Sequence, residues 1–267
     1  MELLIQICIT FLLFCIPCVG AEMDKEAFFK KYPQQTYQDI IIHNQLVSFG
    51  TVFCESRYNM IRPILDLFER PFSVLDLGAG QGYFSFSTSR DYPHSFCVMI
   101  DANIPLFSYS QHGDMLFDLC QLNAHLDNIC YLNKKITLPD LVFLNQNEHF
   151  DVIIAFLVVH LMYTDLKDQI QVIENLLDLG DNLILEVADN VAVPLTDYVE
   201  TLSKTMECLY LGEVKRRKNP DSLATGKLFW FKKSKPRYIN CEEEDHMIGL
   251  KKETFLQLNG VYPENAR

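Results

Sequence analysis

No residue class is present in the excess that marks a fibrous, low-complexity or disordered chain. Of 267 residues only 11 are glycine and 11 proline, with 49% hydrophobic and 22% charged, proportions ordinary for a globular protein. Internal repeats are lacking too, which sets aside stacked-repeat architectures. Cationic residues are outnumbered, 23 Lys and Arg against 35 Asp and Glu, for a formal net charge of −12. A chain this acidic repels a polyanion as a whole, so DNA is not an expected partner. The nine cysteines are odd in number and follow no repeated spacing, which in a chain of this length argues against a disulfide framework. Reduced thiols packed as small hydrophobes are expected instead. Cys15 and Cys18 do form a Cys-x-x-Cys, but it lies in an apolar leader rather than beside a strand-helix-strand unit, and no metal site is read from it.

The length suits one large domain with additions. Four stretches are expected: a leader over 1–22, a helical cap over 23–70, a core over 71–233 and a tail over 234–267. Residues 3–19 are almost uninterruptedly apolar and end on Gly20 and Ala21, as a secretory signal or a short membrane anchor would. The segment before them carries Glu2 and no basic residue, against the usual signal pattern. Met23 opens the first hydrophilic segment, so a start set too early is a third reading. Membrane association through residues 3–19 and secretion stay open, with the cytosol or the cytosolic face of a membrane favoured. Between Asp24 and Arg70, apolar residues such as Ile40, Ile41, Val47, Phe53, Ile61, Ile64, Leu65 and Phe68 recur at helical spacing, the basis for the cap. Pro71 then separates it from a strand.

That strand leads into FSVLDLGAGQGYF, residues 72–84. An apolar run breaks into Gly78, Gly80 and Gly82, the composition of a strand, a tight turn and a helix beginning at Tyr83. Glycine tolerates positive φ and lets a ligand approach the backbone. The dinucleotide-binding fingerprint places its third glycine three positions after the second; here that position is Tyr83, and the third glycine comes one residue early. Asp76 precedes the turn, where its carboxylate could accept hydrogen bonds from an amine-bearing ligand. With this acidic residue followed by Gly-x-Gly-x-Gly, the chain resembles the class I S-adenosylmethionine-dependent methyltransferases. The resemblance covers about Pro71 to Phe231. It implies S-adenosylmethionine as cofactor, with Asp76, Gly78, Ala79, Gly80 and Gly82 around its methionine part.

A second strand ends on Asp101, about 20 residues past the turn. A carboxylate there can take both ribose hydroxyls; a helix cap or turn is the plainer role for it. After a third strand near 128–132 the family usually has an acidic or polar residue for the adenine amine. This chain offers Asn133, followed by Lys134 and Lys135. The apolar FDVIIAF, 150–156, suits a strand covered on both faces, and the LVVHLMY after it brings His160, a general base for a hydroxyl or carboxylic acceptor or simply a packed histidine. Helices are expected over 165–179 and 195–208, and strands over 182–187, 209–214 and 227–231. Glu186 or Asp189 could face the substrate, and Tyr37, Arg57 and Tyr58 of the cap are candidate pocket members.

Strands and helices alternate, so the expected fold is α/β: a single Rossmann-like domain with a mostly parallel sheet, an antiparallel final strand pair and helices on both faces. The Asp/Asn-Pro-Pro-aromatic signature of enzymes that methylate base amines is missing, and so is any compact catalytic triad; methyl transfer draws on orientation more than on acid and base groups. A small-molecule acceptor is expected. Between Leu211 and Asn240, however, nine Lys or Arg face only Glu213 and Asp221, a segment that is either a solvated loop and strand edge or a site for an anionic partner such as RNA, a phosphorylated metabolite or a membrane surface. Two other functions stay in view: a nicotinamide-dependent oxidoreductase, disfavoured by Tyr83, and a methyltransferase-like binding module without catalysis.

Overall fold

The computed structural model describes residues 23–34, 36–102, 112–188, 193–214, 226–234, 246–247 and 250–259. The apolar leader, Asp189 and the cationic run Lys215–Lys218 lie outside them. Two units are distinguished, Met1–Pro33 and Gln34–Arg267. In the first, helix α1 (Lys25–Lys31) starts where the Asp24 carboxylate accepts the Ala27 N–H at 2.8 Å, which satisfies one of the helix's orphan donors.

The second unit opens on a hairpin, where helical spacing led us to expect helix. Strand β1 (Ile40–Ile42) pairs antiparallel with β2 (Gln45–Ser48). Three consecutive isoleucines are stiff at χ1 and favour extended backbone, and His43 and Asn44, with φ of 50° and 63°, supply the two positive dihedrals of a tight hairpin turn. Helix α2 (Cys54–Leu65) completes this layer.

The core follows as β3 (Ser73–Leu77), α3 (Tyr83–Asp91), β4 (Phe96–Asp101), α4 (His112–Leu122), β5 (Ile129–Asn133), α5 (Leu138–Asn147), β6 (Phe150–Phe156), α6 (Val159–Met162), α7 (Leu166–Leu179), β7 (Gly180–Ala188), α8 (Val193–Leu202), β8 (Cys208–Val214) and β9 (Gly226–Lys232). One seven-stranded sheet has the order β5-β4-β3-β6-β7-β9-β8. The first five of these strands pair in parallel, and β9 runs antiparallel to both β7 and β8. Every residue of β3 and β7 is buried, as strands covered on both faces require. Helix α5 was not foreseen, although its start carries a signal: the N–H and hydroxyl of Thr137 both donate to Asp140 Oδ2, at 2.9 and 2.7 Å, with Pro139 in the first turn, a helix-start pattern.

The composition of the tail suggests a loose surface segment with one short helix around Lys251 to Leu258; that helix is present, and its described end is packed rather than loose. After the two-residue strands β10 (His246–Met247) and β11 (Leu250–Lys251), helix α9 (Lys252–Asn259) buries Phe255 and Leu258, which join Leu250, Leu141 and Leu144 in the main apolar cluster. The Lys251 N–H donates to Glu148 Oε1 at 2.9 Å. The five described cysteines Cys54, Cys97, Cys120, Cys130 and Cys208 are free thiols, and burial pushes the Cys97 and Cys130 thiols up to about 12, so both stay protonated and unreactive at neutral pH.

Asn123 and Arg57 help to fasten the amino-terminal layer of this unit to the core. Asn123, at the end of α4, donates to the Ile41 carbonyl at 2.8 Å and accepts the His43 N–H at 2.9 Å. Arg57 of α2 donates from Nε and Nη2 to the two oxygens of Glu186 in β7, both at 2.8 Å, and the side chains are 3% and 0% exposed. Gly226 makes room for the carboxylate, since a Cβ there would lie 2.1 Å from Glu186 Oε1. A buried charge without its partner is costly, so Arg57→Leu is expected to destabilise the protein by about 3–5 kcal/mol. At this chain length that lowers the thermal midpoint by roughly 6–20 °C, which differential scanning calorimetry at neutral pH would measure.

Candidate functional site

Strand order reverses between β3 and β6: the chain leaves β3 toward β4 and β5, and leaves β6 toward β7. In an open α/β sheet the crevice at the carboxyl ends of such a pair is where ligands bind. A cavity of about 530 Å³ lies there. Residues closing β3, β4, β6 and β7 reach it, namely Leu77 with Gly78 and Gly80, Ile100 with Asp101, Phe156 to Val158, and Glu186 with Ala188. Tyr37, Gln38, Val52 and Arg57 bound it from the amino-terminal layer.

The glycine turn is shaped for close approach. Gly78 and Gly80 have φ of 74° and 61°, dihedrals that a side chain would strain. A Cβ on Gly78 would meet Val158 Cγ2 at 2.5 Å, and one on Gly80 would meet Gln38 Nε2 at 2.9 Å. The turn is tied down by its own amides: Gly78 N–H donates to the Ile100 carbonyl at 2.8 Å and Gly80 N–H to Asp101 Oδ2 at 2.7 Å. Gln38 holds it from the other side. Its Oε1 accepts the Gln81 and Tyr83 N–H groups at 3.1 and 3.2 Å, while its own N–H donates to Gln81 Oε1 at 2.8 Å.

The two acidic residues of the motif divide in position. Asp101 lines the cavity; burial raises its carboxyl to about 6, opposed by the N–H groups of Gly80 and Ala102. Asp76 is 2% exposed and is not among the lining residues. Its Oδ2 accepts the Ser85 hydroxyl at 2.8 Å, and burial, with the nearby Asp101, raises it to about 7 against the Ser85 hydrogen bonds. Asp76 therefore supports the start of α3 from beneath the turn and does not present its carboxylate to the cavity.

Four other expected residues also sit apart from the cavity or behind it. Ala79 is fully buried, its N–H directed to the Ile100 carbonyl at 3.3 Å. Gly82 serves packing: a Cβ there would meet Phe86 at 2.7 Å and Leu116 at 3.0 Å. Asn133 is exposed, and Lys134, Lys135 and Ile136 line the cavity after β5 in its place. Tyr58 spends its hydroxyl on Asp91 Oδ2 at 3.1 Å. By contrast Gly78, Gly80, Asp101, His160, Tyr37, Arg57 and Glu186 all border the same space. His160 is carried there by the short helix α6.

The bend that brings α6 to the cavity runs through Leu157, whose φ of 55° is rare for a non-glycine residue. Its N–H donates to the Glu186 carbonyl at 3.0 Å. Strain of this kind persists only where the surroundings enforce it, and it gathers at functional sites. Gln38, Gln81 and Leu157 escaped the sequence analysis. A glutamine and a leucine carry no pattern that marks such roles. Among the described residues no group of three or more His, Cys, Asp or Glu could hold a metal ion.

No family model matches the chain. It is 24% identical over 138 residues to the ribosomal RNA small subunit methyltransferase G of Aster yellows witches'-broom phytoplasma (strain AYWB), a match over 50% of this chain. The matched part spans 58% of that relative's own length. Among solved structures it is similar to the bifunctional kinase-methyltransferase WbdD, with TM-score 0.58 and 18% identity over 78% of this chain and 46% of that one. It is also similar to the N-terminal domain of EvdMO1 with SAH bound, with TM-score 0.52 and 12% identity over 82% of this chain and all of that domain. With the 5-4-3-6-7-9-8 strand order, the reversed β9 and the glycine turn at the switch point, this chain has the fold of the class I methyltransferases.

Proposed function

We propose that this protein transfers a methyl group from S-adenosylmethionine to a small-molecule nucleophile. One observation carries the reading: the Gly78–Gly80 turn and the Asp101 carboxylate bound a single cavity and are joined by the Gly80 N–H to Asp101 hydrogen bond. The names of the similar proteins, methyltransferases and a domain with SAH bound, favour the same cofactor.

The residues present fit that group. Gly78 and Gly80 line the cavity without side chains, so the backbone of the turn is bare where a ligand would lie against it. A carboxylate offers about four acceptor sites, and Asp101 retains capacity for ribose hydroxyls beyond its bonds to Gly80 and Ala102. Ile100 and Ile136 would hold the adenine by packing, since no acidic residue lines the cavity after β5. The cofactor supplies an electrophilic methyl group on a positively charged sulfur. The protein's work is then to orient the acceptor and keep water out. Phe84, Phe156, Leu157 and Met162 make much of the wall apolar, and His160 adds a polar group to it, while the Glu186 carboxylate is held by Arg57. His160 is the group that would take a proton from a hydroxyl acceptor.

Isothermal titration with S-adenosylhomocysteine tests the assignment: saturable binding at one site per chain is expected, and a folded protein that takes up neither this ligand nor S-adenosylmethionine would refute it. Asp101→Asn is expected to weaken binding by about 10- to 100-fold, the worth of charge-assisted hydrogen bonds. The pH profile follows from the Asp101 carboxyl lying near 6 in the empty protein. Its ionised form is the ribose acceptor, so affinity is level above about pH 7 and falls below about pH 6 by up to roughly tenfold per pH unit. The Asn variant is expected to lose that fall, while any contribution from Asp76, near 7, persists in it.

A further inference from the structure

Gln38 has one half of its amide in use and the other half unspent. Its Oε1 accepts two amides at the amino end of α3, from Gln81 and Tyr83. Its Nε2 has no acceptor among the described residues, although Gln38 is only 5% exposed. The nitrogen lies against Gly80, where a Cβ would come within 2.9 Å of it, and Gln38 and Gly80 both line the cavity. The nitrogen is not sealed inside the protein; it opens on the cavity, where a ligand or water can accept its hydrogen bond.

The backbone around Gln38 is held in place before any ligand arrives. The Tyr37 carbonyl accepts the Thr51 and Val52 N–H groups at 2.9 and 3.1 Å. Gly50 packs so closely beneath that a Cβ would lie 2.3 Å from the Gln38 carbonyl carbon, and its N–H donates to Asp39 Oδ1 at 2.8 Å. The donor is therefore fixed at the amino end of α3, where the helix dipole favours negative charge. The Gln81 and Tyr83 amides are already occupied by Oε1, and Nε2 is a donor left open to an anion arriving there.

We infer that Gln38 is a cofactor-binding residue: its Nε2 donates to the carboxylate at the amino-acid end of S-adenosylmethionine, while its Oε1 holds the glycine turn. This rests on the cofactor assignment above. The amino-terminal layer is then part of the cofactor site, and the same side chain that orders the turn reads the charge of what lies on it.

The two halves of the amide can be separated. Gln38→Glu keeps an acceptor for the Gln81 and Tyr83 amides and removes the donor; Gln38→Met, of similar size, removes both and serves if the glutamate variant does not fold. Each is compared with the unaltered protein in titrations with S-adenosylhomocysteine and with 5′-methylthioadenosine, which lacks the amino-acid end. The expected result is an unaltered protein that binds both ligands, and in the glutamate variant a loss of about tenfold or more for S-adenosylhomocysteine with methylthioadenosine changed less than about twofold; in the methionine variant, which also releases the turn, the loss for S-adenosylhomocysteine exceeds that for methylthioadenosine by about tenfold. Equal losses for both ligands would make Gln38 only a support of the turn and overturn the inference, as would unchanged affinity for both. Failure of the unaltered protein to bind either ligand would instead refute the cofactor assignment on which the inference stands.

Discussion

The site depends on a steric constraint between two parallel strands that part company at their ends. Beyond β3 and β6 the backbone of Gly78 and the side chain of Val158 come so close that no Cβ fits between them. That contact fixes the floor of the cavity, and it requires a glycine with positive φ on one side and the forced bend at Leu157 on the other. The amides of the turn then have only a few directions open to them, and the Ile100 carbonyl, Asp101 and Gln38 take them up. Leu157 in turn leans on the Glu186 carbonyl, whose side chain is spoken for by Arg57. A chain of close contacts thus runs from the glycine turn through β6 and β7 to α2.

Electrostatics follows the same geometry. Two carboxyls stand one behind the other at the turn, Asp101 at the cavity wall and Asp76 beneath, and burial raises both. In each, the shift favours the protonated form in the folded empty protein, so the stability they lend is present below about pH 4 and is lost as pH rises toward 6 and 7. The front carboxyl gains from a ligand that donates hydrogen bonds. The rear one is satisfied by Ser85 and serves α3.

Much of this was legible in the sequence. The glycines, the spacing to Asp101 and the apolar runs of β3 and β6 place the turn and the crevice, because strand burial and positive φ impose residue types that are easy to recognise. His160, Arg57 and Glu186 were identified by their place after strands or on a helix face, and all three reach the cavity. What escaped depends on contacts distant in sequence. Ile40, Ile41 and Val47 match a helical period, yet a turn at His43 and Asn44, fastened by Asn123, makes them a hairpin. Gln38 meets Gln81 across 43 positions, a pairing no local pattern encodes. The short helix of the tail was foreseen but its packing was not, because charge dominates the segment's composition while Leu250, Phe255 and Leu258 carry its end into the core.

Strand β9 brings one more consequence. Because it runs against its neighbours, its first residue, Gly226, sits beside Ala188 of β7 and opposite Val214, the last residue of β8. Both are thus at the end of the sheet to which the cavity opens. The same reversal puts Gly226, whose missing side chain admits the Glu186 carboxylate, at the ligand-facing end of the sheet, so the strand that runs the other way is the one that leaves room for the buried ion pair.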